Sequence, residues 1–517
     1  MGCKSKQQQK NFHFPTIDDI ITEKIIPHFR SARPVVHGKF TFKKKMRLSP
    51  AQALLRALLV LAMWMDVACA TWLALQEPLT MQTPRYGHSA VVLSDGVTLL
   101  VAGGTDGQRV LDLAEVLVPP PSPSTSTSAS ASSSSSSNGQ WHVTSSMNQP
   151  RMGHTLTVLP NGWVLVTGGC TDLDDCDGTT TATTELYDPS EGHPPLPGTF
   201  YLSTSMTLAR AYHTATLLAD RGIVVVTGGW PLNADTSTEA LDIATGVWQA
   251  LPLATMDLPR DHHTAILLPN GLLSIWGGSQ FNDGGEILNV TTSTWTRTAS
   301  APGSVVQYPY TSATLLLDGS SVLVAGTSYV SASSPLRDTA IYNITSDTWT
   351  EPPGHMITPR YRHTATLLAN GLVLVVGGID VHSDNNGDQV ALCSELFDPS
   401  TGTWASSSGC LAYPRLDHTT SVYPNDVKVV AVGGQDPQAA ANAETYDYTN
   451  AAWADNNNAP FPDGSERVWL TVTLLPLTGK ILLVGGVPET DGPIAPAYSS
   501  TLLYDEVKAK KSTNKYT

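Results

Sequence analysis

An arginine followed three residues later by a histidine recurs six times, at Arg85/His88, Arg151/His154, Arg210/His213, Arg260/His263, Arg360/His363 and Arg415/His418. Imidazoles repeated at one position could ligate a transition metal or relay protons. The same units carry a glutamate further on, at Glu115, Glu185, Glu239, Glu286, Glu395 and Glu444. Where the histidine is lost the glutamate is lost with it, as Thr311 with Ala340 and Leu470 with Leu502. Joint loss marks a pair more than a shared metal. The expectation is therefore a structural hydrogen bond from His to Glu in six units, favouring the protonated imidazole, with the neighbouring arginine as a third partner.

The elements that must position these groups are short strands. With 41 glycines and 36 prolines in 517 residues, and 41% apolar content, an all-β chain with a substantial core is expected. A strand such as His363 to Leu368 turns through Asn370-Gly371 into Leu372 to Val376, and Asp95-Gly96, Asn161-Gly162, Asn270-Gly271 and Asp318-Gly319 repeat that turn chemistry. Folding about Asn370-Gly371 puts His363 opposite Gly378, and Glu395 is expected beside that same glycine.

A glycine doublet closes each second strand, at Gly103-Gly104, Gly168-Gly169, Gly228-Gly229, Gly277-Gly278, Gly377-Gly378, Gly433-Gly434 and Gly485-Gly486, with Ala325-Gly326 in the remaining unit. A third strand reads "SELFDPSTGTW" or a relative of it, and Trp248, Trp295, Trp349, Trp404 and Trp453 each fall seven residues after a Leu, Tyr or Phe. That placement suits packing between units.

The doublet, the third-strand aromatic and the fourth-strand tryptophan resemble the kelch repeat, across about residues 71 to 506. The resemblance implies a β-propeller, here of eight four-stranded blades, with seven as the alternative. The last unit stops at "LLYDEVKAKK", whereas "TWLALQEPLTMQTPR" resembles a fourth strand without its blade, so Trp72 is expected to close the ring from the amino-terminal side.

Residues 1–45 form an upstream extension of no assigned role, and residues 46–70 read as a secretory signal or an uncleaved anchor, since Lys43 to Lys45 and Arg47 precede an apolar run from Ala57 to Met65 and the small-residue string Ala68-Cys69-Ala70. The propeller spans 71–506 with a Ser-rich loop at 121–137, and 507–517 is a basic tail. Residues 1–70 hold 12 Lys/Arg against 4 Asp/Glu, leaving 18 against 41 in the remainder, a balance of −23 that disfavours nucleic acid. Removal of the signal leaves Cys170, Cys176, Cys393 and Cys410, for which two local disulfides are expected among three formal pairings.

Alternate loops lie on opposite faces of a propeller. The sequons at Asn289 and Asn343 and the Ser-rich insert fall on the face of the first-to-second and third-to-fourth strand turns. The other face is the expected partner surface, with Trp230, Phe281, Tyr329 and Tyr498 as candidate contacts. Asp172, Asp174, Asp175 and Asp177 are the oxygen ligands that calcium would take, in a loop without EF-hand spacing.

The reading is a secreted or cell-surface, monomeric, non-enzymatic scaffold for a protein or glycan, without a cofactor, and membrane-bound only if the signal persists as a type II anchor. The alternative is a carbohydrate-acting enzyme, because the repeat also resembles the central propeller of galactose oxidase and related copper radical oxidases. That resemblance implies tyrosine and histidine copper ligands, a cysteine crosslinked to a tyrosine and a further carboxy-terminal domain. The chain ends instead with the closing unit and "KAKKSTNKYT", and Tyr212-His213 belongs to the ordinary repeat.

Overall fold

The computed structural model describes residues 79–504 except 119–138, 174–175, 177, 192–197, 232–235, 251–254, 279–283, 301–310, 327–338, 381–388, 424–426, 436–441, 454–458, 461–466, 469, 476–479 and 489–496. The extension, the signal segment, Trp72, the Ser-rich loop and the basic tail all lie outside the described residues. The chain divides into Met1–Trp64 and Met65–Thr517, and everything below concerns the second unit.

Among the described residues eight sheets form blades, and Arg360–Tyr361, Ile379–Asp380 and Gln389–Val390 make a further three-stranded ribbon. Blade 1 runs Ser89–Val92, Leu99–Ala102, Ala114–Val118, Gln140–Val143, each strand antiparallel to the next. The innermost strands of blades 2 to 8 are Thr155–Val158, Thr214–Leu218, Thr264–Leu267, Ser312–Leu315, Thr364–Leu367, Thr419–Val422 and Thr471–Leu475. Each touches the innermost strand of the next blade, and the last returns to Ser89–Val92, so the ring is closed around a central channel. Blade 7 carries one added pairing, from Ala459–Pro460 to its third strand. Among the described residues the only helical segment is the 3-10 turn Ala219–Arg221, and no helix is long and apolar enough to cross a membrane.

The second strands explain the core. Leu99–Ala102, Val164–Thr167 and Val373–Val376 are buried throughout, because a blade in a ring is covered on both faces and its middle strands need no polar side. The hairpins before them turn on glycines with positive φ, such as Gly162 at 86° and Gly371 at 88°, where a Cβ would be strained.

The tryptophan spacing is a cross-strand register. Leu241 pairs with Trp248, Leu288 with Trp295, Tyr342 with Trp349, Phe397 with Trp404 and Tyr446 with Trp453. These rings seal the seams: Trp295 donates its indole N–H to Thr238 of blade 3, and Trp453 to Ser394 of blade 6. Closure is made by Leu79–Thr80, which lies against Ser500–Tyr504 as the outer strand of blade 8, with Leu79 opposite Thr501. A strand from ahead of blade 1 that pairs with the last blade leaves no open edge there. Both expected disulfides, Cys170–Cys176 and Cys393–Cys410, are present.

Candidate functional site

The expected His to Glu bond is not what the fold builds. Glu395 pairs with Val375, while Gly378, which does lie under His363, accepts its third-strand hydrogen bond from Ala391. The segment between Ala391 and Glu395 carries the carboxylate away from the histidine. The arginine takes it instead. Arg85–Glu115, Arg151–Glu185, Arg210–Glu239, Arg260–Glu286, Arg360–Glu395 and Arg415–Glu444 are ion pairs of 2.5 to 3.2 Å between fully buried or nearly buried groups. Each arginine also donates to the first glycine carbonyl of its own doublet, as Arg151 to Gly168 at 2.7 Å. Each glutamate in turn accepts backbone N–H groups of the incoming connection, as Glu185 does from Asn148 and Gln149. Burial strips these charges of water, and the ion pair, the glycine carbonyl and the backbone N–H groups replace most of what it took, with Arg210 Nε left over.

The histidine belongs to the seam. His88 Nε2 lies 2.8 Å from Thr471 Oγ1 of blade 8, His213 2.9 Å from Thr167, His263 2.9 Å from Thr214, His363 2.9 Å from Ser312 and His418 2.9 Å from Thr364. Each hydroxyl is on the preceding blade, and each ring covers the first glycine of that blade's doublet or, for His363, Gly326. The second glycine of a doublet then donates its N–H to the next arginine's carbonyl, from Gly104 to Arg151 and onward to Gly486 and Arg85. Burial, then the adjacent guanidinium, pushes the His88, His154, His263 and His363 imidazoles down to about 3, and the same causes hold His213 and His418 well below their ordinary value. The imidazoles are neutral, opposite to the sequence expectation, because the carboxylate that would have charged them is spent on arginine.

The exceptions follow the same logic. Blade 5 has Thr311 and Ala340 at the aligned positions, and Trp276, Tyr342 and Trp349 fill its seam with blade 4 at centroid distances of 5.2 to 5.8 Å. Blade 8 keeps Arg467, which donates to Gly485 and Ser500, while Leu470 takes the histidine's place over Gly433. At His154 neither ring nitrogen has a partner: Ala102 stands where blades 2 and 3 have Thr167 and Thr227, and the hydroxyl of Ser89, which holds the place of Thr214 and Thr364, donates to the His154 carbonyl instead. Ala102→Thr should supply that hydroxyl and raise the unfolding free energy by about 1 kcal/mol. The check is the denaturant midpoint, with no gain expected from the same exchange in a His154→Leu background.

With the repeated charges absorbed by the frame, the chemistry left for a partner is at the channel mouth on the loop face. The residue before each seam histidine opens the innermost strand and turns with positive φ. It is Gly87 and Gly153 in blades 1 and 2, then Tyr212, His262, Arg362 and Asp417, at φ of 54°, 50°, 57° and 50°. Tyr212 stacks on His262 with centroids 4.4 Å apart, Asp261 lies 3.1 Å from His262 Nδ1, and Arg362 pairs with Asp417. Backbone bonds join neighbours, from Tyr212 N–H to Gly153 and from His262 N–H to Tyr212. Tyr310 and Trp469, aligned in blades 5 and 8, lie outside the described residues. These mouth residues were legible only as the variable letter inside Arg-x-x-His; nothing in the spacing says that this letter alone faces out.

Of the residues singled out from the sequence, Trp230 supports this mouth, half-buried against the Cys170–Cys176 disulfide and Tyr212. Tyr498 is half-buried with Arg467 over its ring at 5.0 Å. Phe281, Tyr329, Asp174, Asp175 and Asp177 lie outside the described residues, and Asp172 is exposed with Oδ1 accepting the Leu173 N–H. Among the described residues no three His, Cys, Asp or Glu side chains are grouped to hold a metal ion. Tyr212 faces the mouth while His213 turns into the seam, so the two do not converge on one point.

The comparisons agree with the geometry. A model of the KLHDC2/KLHL20/DRC7 kelch-repeats domain matches residues 212–434. The Rab9 effector protein with kelch motifs of Xenopus laevis is 28% identical over 123 residues, 22% of this chain and 32% of that protein, so the match spans about a third of the relative's length. A solved fungal alcohol oxidase of the AA5 family, in complex with copper, is 17% identical with a TM-score of 0.48, covering 68% of this chain and 73% of that one. With the repeat, its ring of eight blades and the two kelch matches together, the chain is a kelch-repeat β-propeller.

Proposed function

We propose that this propeller is a non-enzymatic protein-binding scaffold of an oxidising compartment, secreted or at the cell surface, whose partner docks over the channel mouth on the loop face. One observation carries the reading. Glycine at 87 and 153 shows that the ring closes without a side chain at this position, yet four blades place Tyr, His, Arg or Asp there, in a backbone region that costs a non-glycine residue about 1–2 kcal/mol. Strain kept where the frame does not require it points to use of the side chains. They supply an aromatic stack and a pair of opposite charges on a rigid rim, the composition of a protein-recognition centre. Two disulfides in the described structure support the compartment.

The test replaces His262 and Asp417 with glycine, alone and with Tyr212→Gly. Stability of His262→Gly and Asp417→Gly should stay within about 1 kcal/mol of the parent. Peptides selected from a display library on the parent chain should lose at least tenfold in affinity for the triple variant. Equal affinity would remove the mouth as the site, and saturable binding on a glycan array in place of peptides would transfer the reading to sugars.

A further inference from the structure

We propose that Asn289 and Asn343 carry N-linked glycans, which cover the hairpin face of blades 4 and 5 and leave the loop face as the open one. Both asparagines end a third strand, and both use only the side-chain oxygen in the fold. Asn289 Oδ1 accepts the N–H of Thr291 at 3.0 Å and of Thr292 at 3.4 Å; Asn343 Oδ1 accepts those of Thr345 and Ser346, each at 3.0 Å. In four other blades an aspartate does the same work, Asp188 for Ser190, Asp242 for Thr245, Asp398 for Ser400 and Asp447 for Thr449. An acceptor oxygen is therefore all the turn needs. The amide nitrogen that asparagine adds is surplus to the frame, and in both blades that carry it the second following residue is an exposed threonine, as the Asn-x-Ser/Thr acceptor requires.

Two further observations converge. Disulfides at Cys170–Cys176 and Cys393–Cys410 place folding in a compartment where lipid-linked oligosaccharide diphosphates are the glycosyl donors. The transfer joins Asn Nδ2 to C1 of the first sugar, breaks the bond from C1 to the lipid diphosphate, and releases the Nδ2 proton with that leaving group. The same two blades also expose Leu317 at 65% and Leu267 at 42% on this face, the latter lining a cleft of about 850 Å³ between Leu217–Arg221 and Leu267–Gly271. The Ile344 N–H bonds to Ser320 O, so the sequon turn of blade 5 sits against the hairpin that bears Leu317. A glycan there would screen apolar surface that otherwise invites association.

The experiment expresses the full chain in eukaryotic secretory cells and treats the product with peptide-N-glycanase in water enriched in heavy oxygen. Labelled aspartate is expected at 289 and 343. Asn289→Asp and Asn343→Asp keep the turn's acceptor, so each should fold and lose one glycan, and Asp447→Asn, which completes an Asn-Tyr-Thr sequon, should gain one. Unmodified asparagine at both positions, in secreted or retained protein, overturns the proposal. Loss of partner binding in the mouth variants leaves this result untouched, so the two readings fail separately.

Discussion

Lowering the pH from neutrality to about 5 is expected to unfold the ring, through the six seam histidines together. The folded imidazoles of His88, His154, His263 and His363 stay neutral down to about 3, and burial holds those of His213 and His418 well below their ordinary value, whereas in the unfolded chain all six titrate at the ordinary 6.5. As pH falls below that value the unfolded chain binds protons the folded ring refuses, so stability is full above it and declines until the folded groups themselves protonate. Each such histidine removes about 1.4 kcal/mol per pH unit in that window. Six acting at once approach the whole margin of about 5–15 kcal/mol that holds a domain folded. Denaturant titrations across this range should give a slope near six protons, and His263→Leu, which copies the residue blade 8 uses, should lower it by one. A flat profile, or a slope indifferent to that substitution, would show that the seam histidines are solvated.

Removing one carboxylate should be the costliest single change in the frame. Glu185→Ala leaves the Arg151 guanidinium buried at 0% exposure and strips acceptors from the Asn148 and Gln149 N–H groups, so a loss of about 3–5 kcal/mol is expected. The double variant Arg151→Met/Glu185→Leu should cost less than Glu185→Ala alone, because a pair of apolar groups leaves no charge to desolvate. Blade 5, with Ala340 fully buried and no arginine or histidine at its aligned positions, shows that the ring tolerates loss of the whole set. Thermal or chemical denaturation of the single and double variants decides the point. A single variant as stable as the parent would mean that the pair is hydrated.

Much of the architecture was written in local chemistry. The Asx-Gly hairpins, the doublets and the aromatic seven residues before each tryptophan all act within one blade, where sequence distance and strand register translate directly into space. The same holds for Cys393 and Cys410, which flank a single hairpin. Joint loss of charged residues was also visible, and it correctly marked a structural set; it did not say which members touch.

That choice belongs to the tertiary structure. A histidine at the head of an innermost strand leaves its own blade and meets a hydroxyl of the one before, tens of residues away, as His418 meets Thr364. Counting along a single hairpin cannot reveal a contact made only when wedges close into a ring. Nor can it show that four strained positions line the mouth, since outward direction there depends on where the channel runs. Sequence by itself determined the blades and their strand order, and favoured eight of them over seven. The path of the backbone within each blade decided that arginine takes the carboxylate, and ring closure decided that histidine stays neutral in the seam and which side chains remain for a partner, because burial sets the cost of every charge.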